Sequence, residues 1–399
     1  MQAQVTFRIA GAFLFFALAL PNVASGQANV PANAKPIDRT SLQPRFHRID
    51  KLSPQIKTAF QTEGSSQAQG AQGAVRTVPH WTGSFTYNGT IYPYVMVGGA
   101  PQRGGTTQIK TQLIPINFVL DGCLDANGNA VVFAVDNVIA NTLNSPNFVR
   151  ADYETGDTQY ADAFQRAEFH AVAKEDWHTL IRSPAFLTPV TMEVPPESSV
   201  CLYIPPNGQP FGAVNINFFA SELETILQLE PASPTELPIA LSKDVVLYFP
   251  PDPLAPGACC VLGFHGNGAP LFFVGSVAQT FAWASWLTAA DDFGPGWADV
   301  LPLSHEIGEW INDPFLTNIV PLWLFPGTTS CGGNLLEVGD PVEVLADPSF
   351  PVTVDGYTYH PQTLATLQWF SRQTPSNAID HAYSFPGVNQ LTSPSQPCP

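Results

Sequence analysis

Between Trp81 and Val135 apolar and polar residues alternate in runs closed by Gly and Asn: GSFTYNGT, IYPYVMVGG, TQIKTQLIPINFVL and, after the turn DANGN, AVVFAV. Period-two alternation rich in β-branched and aromatic residues predicts antiparallel strands. The period changes over 158–182, TQYADAFQRAEFHAVAKEDWHTLIR, where Ala163, Phe164, Ala167, Phe169, Ala171 and Val172 recur at helical spacing and predict one or two helices. Short strands follow at VTMEVP, AVNINFF and VVLYF, with a helix at SELETILQLE (221–230) between them. Strands, then helices, then mixed elements predict an α+β fold with a mixed or antiparallel sheet, not a regular βαβ repeat. Asp121, Asp125, Asn127 and Asn129 crowd one loop, but its Gly is out of register for an EF-hand, so the loop reads as a hairpin turn.

The first 26 residues hold Arg8 as their sole charge, an apolar run from Ile9 to Leu20 and then small residues, the pattern of a secretory signal peptide; the run is too short to span a bilayer. Residues 27–77, rich in Gln, Ala, Ser and Pro with TEGSSQAQGAQGA at 62–74, read as a flexible leader or propeptide-like region outside the main core. Residues 78–399 are left as one large α+β domain. The 16 Lys and Arg face 33 Asp and Glu, a formal charge of −17, which argues against nucleic acid as a partner. No later segment predicts a membrane span, so the product is expected to be secreted or periplasmic. The six cysteines, Cys123, Cys201, Cys259, Cys260, Cys331 and Cys398, form no C-x-x-C pair and predict disulfides rather than metal thiolates. Cys259 and Cys260 are adjacent and are expected to bond to different partners, since a bridge between neighbours is strained.

Candidate chemistry concentrates in residues 299–314, DVLPLSHEIGEWINDP. Leu303, Ile307, Trp310 and Ile311 share one helical face, His305 and Glu309 stack one turn apart on another, and Pro314 stops the helix. An imidazole and a carboxylate so placed can hold one metal ion, with Glu306 beside them as general base toward a bound water. This is the H-E-x-x-H arrangement of zinc hydrolases with the second His replaced by Glu. There is no G-x-S-x-G elbow, and Ser304 and His305, as helix neighbours, do not face each other.

The succession GFHG, a strand, SHEIGEWINDP and then LEVGDP resembles a group of secreted zincin-like proteins with an H-E-x-x-E helix, and is similar to the plant phosphate-induced or exordium family, over about residues 260–345. The resemblance implies a zincin-like active-site helix between two lobes around a cleft, metal ligation by His305 and Glu309, and a base role for Glu306. By analogy with gluzincin-type peptidases, Glu337 is the candidate third ligand and Asp340 the acid behind it, an order that is open to reversal. Asp313, two turns beyond His305, is a further ligand or buttress, and His360 an outside candidate. APLFFVGSV, which follows VLGFHGNG (261–268), reads as an edge strand beside the helix, with His265, in a Gly-rich turn, able to stabilise an oxyanion. The expectation is a secreted zinc metallopeptidase acting on protein or peptide substrates. The alternative is a non-catalytic, exordium-like extracellular protein that keeps a structural metal site.

Overall fold

The alternating runs form hairpins and ladders: His80–Tyr87 pairs with Thr90–Val97, and the strand Thr106–Leu124 turns at DANGN to pair with Ala130–Phe133. In that turn Asp125 accepts hydrogen bonds from the backbone N–H groups of Asn127 and Asn129, both at 2.8 Å, so the loop is a hairpin turn. The computed structural model describes residues 30–65, 75–206, 208–230, 232–268, 276–288, 292–387 and 390–399. The signal-like segment, most of the 62–74 linker and the run from Ala269 to Gly275 lie outside the described residues.

A mixed sheet of 13 strands dominates the described part. The strands that position the site are β1 (Arg45–Asp50), β2 (Thr106–Leu124), β3 (Ser199–Tyr203), β4 (Phe211–Asn215), β5 (Glu236–Lys243), β6 (Val245–Tyr248), β7 (Cys259–Gly268) and β8 (Gln279–Trp286). They lie in the order β3-β4-β6-β7-β8-β5-β2. The β4–β6, β8–β5 and β5–β2 pairs are parallel, and the β3–β4, β6–β7 and β7–β8 pairs antiparallel. Among the helices are α1 (Pro54–Ser65), α2 (Tyr160–Glu168), α3 (Ile216–Leu229) and α4 (Leu301–Asn312).

β8 is buried along its whole length and β7 up to its last residue, polar and Gly positions included. Alternation along β7 then sorts its residues between two layers. Phe264 points toward Phe219 of α3 and Trp283, whereas Gly263 and His265 face α4 on the other side. All twelve residues of α4 are buried, the condition of a helix inside a core rather than on a surface.

VLGFHGNG, expected as a turn, is therefore an internal strand, while most of the expected edge strand APLFFVGSV lies outside the described residues. β8 takes one side of β7, and on the other β1 follows β6, running parallel to residues 261–267. Within the segment read as a leader, β1 completes this ladder, and Phe60 of α1 is fully buried against Phe315. Of the helices expected over 158–182, only α2 forms; residues 178–181 are a strand, because Ile181 and Thr179 take ladder positions beside β2. α3 starts earlier than expected, at Ile216, where Asn215 caps it by accepting from the N–H of Asn217.

Three cysteine pairs stand at bonding distance. Cys123 pairs with Cys201 and Cys331 with Cys398, which leaves Cys259 and Cys260 to each other. This corrects the expectation of separate partners. The peptide bond between them is cis and their Cα atoms are 3.0 Å apart, close enough for a bridge that a trans bond would have disfavoured. Such pairs suit an oxidising compartment, and no described helix is long and apolar enough to cross a membrane.

At the end of α2 the Glu168 carboxyl is buried, accepts the N–H of Leu367 and is pushed by burial up to about 8. The folded chain therefore keeps a proton that the unfolded chain releases from about pH 4.5 upward. Its contribution is complete at low pH and is lost as pH rises toward 8, by at most about 1.4 kcal/mol per pH unit. Glu168→Gln should keep the fold and gain on the wild type between pH 5 and pH 8. Urea midpoints whose difference stays constant over that range would refute the assignment.

Candidate metal centre

Helix α4 begins where Asp299, at φ 37°, receives the N–H of Val300, and ends where Asp313 accepts the N–H groups of Thr317 (2.9 Å) and Asn318 (3.1 Å). Between these caps its polar side faces β7. His265 Nδ1 stands 3.2 Å from Glu306 Oε2 and 3.5 Å from Glu309 Oε2, and His305 Nε2 stands 3.0 Å from Glu309 Oε2. Glycine makes room on the strand: a Cβ on Gly263 would lie 2.7 Å from Glu306 Oε1.

A third element closes the site. Glu337, Asp340 and Glu343 recur every third residue, and Asp340–Val342 is a 3-10 helix, in which residues three apart eclipse one another. Asp340 Oδ1 lies 3.8 Å from His305 Nε2; Glu337 hydrogen-bonds to Glu309 and brings Oε2 to 3.9 Å from His265 Nε2. The Gly339 N–H donates to Glu309 Oε1 at 3.2 Å.

Gln362 sets the tautomer of His305. Its Nε2 donates to the Gly339 carbonyl at 3.2 Å, its backbone N–H to Ser304 at 2.8 Å, and its carbonyl accepts from the Tyr160 hydroxyl. Held this way, Gln362 Oε1 accepts the His305 Nδ1 proton at 2.6 Å. Nε2 is left with its lone pair, without a hydrogen-bond partner, aimed at the oxygens of Glu309 and Asp340. Lone pairs converging from an imidazole and two carboxylates repel one another unless a cation lies among them.

β1 lies over this assembly. The Phe46 ring stacks on His305 with centroids 3.4 Å apart, the Phe46 N–H donates to Glu343, and Arg48 Nη1 comes within 3.9 Å of Glu337 Oε1. His265, His305 and Glu306 have no exposed surface, Glu309 and Glu337 have 1% and 3%, and Asp340 keeps 21% of its side chain exposed. Burial accordingly pushes Glu309 and Asp313 up to about 7 and raises Glu306, Glu337, Asp340 and Glu343, while it drives His305 down to about 3. Both directions report charge wanting compensation in a dry site.

Of the sequence candidates, His265, His305, Glu306, Glu309, Glu337 and Asp340 come together. The imidazole beside Asp340 is His305 and that beside Glu337 is His265. Asp313 reaches the same cluster through the charge of His265. His360 is instead hydrogen-bonded to Asp299 at 2.7 Å, at the start of α4. Phe46, Arg48, Glu343 and Gln362 belong to the site without having been read from the sequence. For Glu343 the signal was the three-residue repeat of acids; for the others none was visible.

The donors fit a cation. Ligand atoms 2.0–2.1 Å from a tetrahedral ion stand roughly 3.3 Å from one another, and the His305–Glu309 and His305–Asp340 separations, 3.0 and 3.8 Å, bracket that value. The chemistry of imidazole with carboxylate suits zinc or another first-row divalent ion. A Cβ on Gly339 would collide with His305 Nδ1, although the backbone there, at φ −86°, accepts any residue. Gly339→Ala should therefore fold yet lower zinc affinity by about tenfold or more, the loss typical of a disturbed ligand partner; unchanged affinity in a titration would contradict the role given to Gln362. No family model, no curated protein and no solved structure matches the chain.

Proposed function

We propose that this chain is an exported zinc-dependent peptidase. The observation that carries the reading is the bare Nε2 of His305 facing Glu309 and Asp340, with Glu306 next to it on the helix and His265 against Glu306. His305, Glu309 and Asp340 would hold the ion, with Glu337 steadying Glu309. Zinc in that position supplies a Lewis acid for a peptide carbonyl and a more acidic water. Glu306 takes a proton from the attacking water and delivers it to the leaving amine. His265, 3.2 Å from Glu306, orients that carboxylate.

A peptide reaches these groups only if β1 yields. Phe46 roofs His305, and the edge of β7 that an extended substrate would use is filled by residues 45–50. The leader then acts as a cover, in keeping with the propeptide expectation. The same burial favours a second reading, a non-catalytic protein with a permanently enclosed metal.

Zinc-loaded protein should cleave an unfolded protein substrate, and Glu306→Gln should lose about 10²-fold or more of that activity while the ion at His305 remains. Phe46→Ala should raise the rate by thinning the cover. If wild type and Phe46→Ala both hold zinc yet cut no member of a broad peptide library, the enclosed-metal reading replaces the peptidase.

A further inference from the structure

We infer that the cluster holds two divalent cations bridged by Glu309: one on His305, Glu309 and Asp340, the other on His265, Glu306 and Glu309. This goes beyond the peptidase reading and does not depend on it: with the second ion bound, Glu306 and His265 are its ligands in place of base and positioning residue. Each set brings a ring nitrogen and two carboxylate oxygens within 4.8 Å of one another, and Glu309 belongs to both. Its Oε2 is the atom shared, 3.0 Å from His305 Nε2 and 3.5 Å from His265 Nδ1, while Oε1 is occupied by the Gly339 N–H.

The two imidazoles approach that oxygen from different elements, His305 along α4 and His265 across from β7. A single ion on His305 leaves the buried Glu306 carboxylate with Oε1 lacking any hydrogen-bond partner and with Oε2 answered only by His265 Nδ1 at 3.2 Å. Buried polar atoms without partners are rare and costly.

Charge points the same way. Glu306, Glu309, Asp313 and Glu337 are buried, with Asp340 and Glu343 at the rim. The cations facing these six acids are Arg48, 3.9 Å from Glu337, and Arg45, beside Glu343. Two arginines facing six acids leave an excess of carboxylate, which divalent ions at the two sets would offset. Because a nitrogen donor enters each set, the ions belong to the first-row transition series rather than to calcium or magnesium.

The test counts ions on the full exported chain. Protein stripped by chelator, reloaded with zinc alone and freed of excess should carry two equivalents by elemental mass spectrometry. His265→Ala and Asp340→Asn should each carry one. Loaded with manganese, the wild type should give an exchange-coupled paramagnetic resonance spectrum, and His265→Ala the six-line spectrum of an isolated ion. One equivalent in the wild type, two in His265→Ala, or an uncoupled spectrum at full loading of the wild type would each overturn the inference, and the last needs no variant to fold. An inactive protein holding two coupled ions would sustain it while removing the peptidase reading.

Discussion

Carboxylates gathered where water is excluded govern this molecule. Each ionised acid in such a place costs several kcal/mol unless something positive or a donor answers it, and here the answers come from four directions. Backbone N–H groups of Thr317 and Asn318 hold Asp313, Gly339 holds Glu309, Arg48 approaches Glu337, and His265 Nδ1 is hydrogen-bonded to Glu306, while His305 adds a lone pair of its own. The grouped imidazoles and carboxylates can hold a cation, which links stability to ligand binding: whatever binds the folded cluster and not the unfolded chain stabilises the fold by mass action.

The architecture exists to bring those directions together. β7 must be buried on both faces for His265 to meet α4 away from solvent, which requires β8 on one side and β6 with β1 on the other. α4 must pack close to that strand, and Gly263 permits it by leaving space for Glu306. Gln362, fixed by Tyr160 and Ser304, ties the second layer of residues to α2 and to the start of α4. A substitution in any of these supports would act through the orientation of one ring rather than through lost contact with a ligand.

How far the sequence disclosed this follows the range of each interaction. Strands with period-two alternation, such as 90–97 and 106–124, were legible because a half-buried ladder imprints its pattern on successive residues. α4 was legible for the same reason, and its His and Glu spacing marked it as chemical. The surroundings were not. Whether GFHG is a turn or a central strand depends on β1, far earlier in the chain, and nothing near Phe46 or Gln362 distinguishes them from ordinary core and loop residues. Adjacent cysteines misled because the strain expected of a bridge between neighbours was taken to exclude one, whereas the other four cysteines pair among themselves and leave these two to each other. The helix over 158–182 was overestimated because helical spacing after Glu168 competes with a ladder beside β2 that only tertiary structure reveals.

The position of β1 has a consequence for the cost of enclosing the site. Its backbone is anchored by Asn267, which accepts the N–H of Leu52 across a separation of 215 residues. Seating the covering strand therefore closes a far longer loop than the meeting of β7 with α4, whose His265 and Glu306 are 41 residues apart, and carries the larger entropic cost. Without that pairing Phe46 does not roof His305, so enclosure of the acids depends on a strand drawn from the far side of the chain.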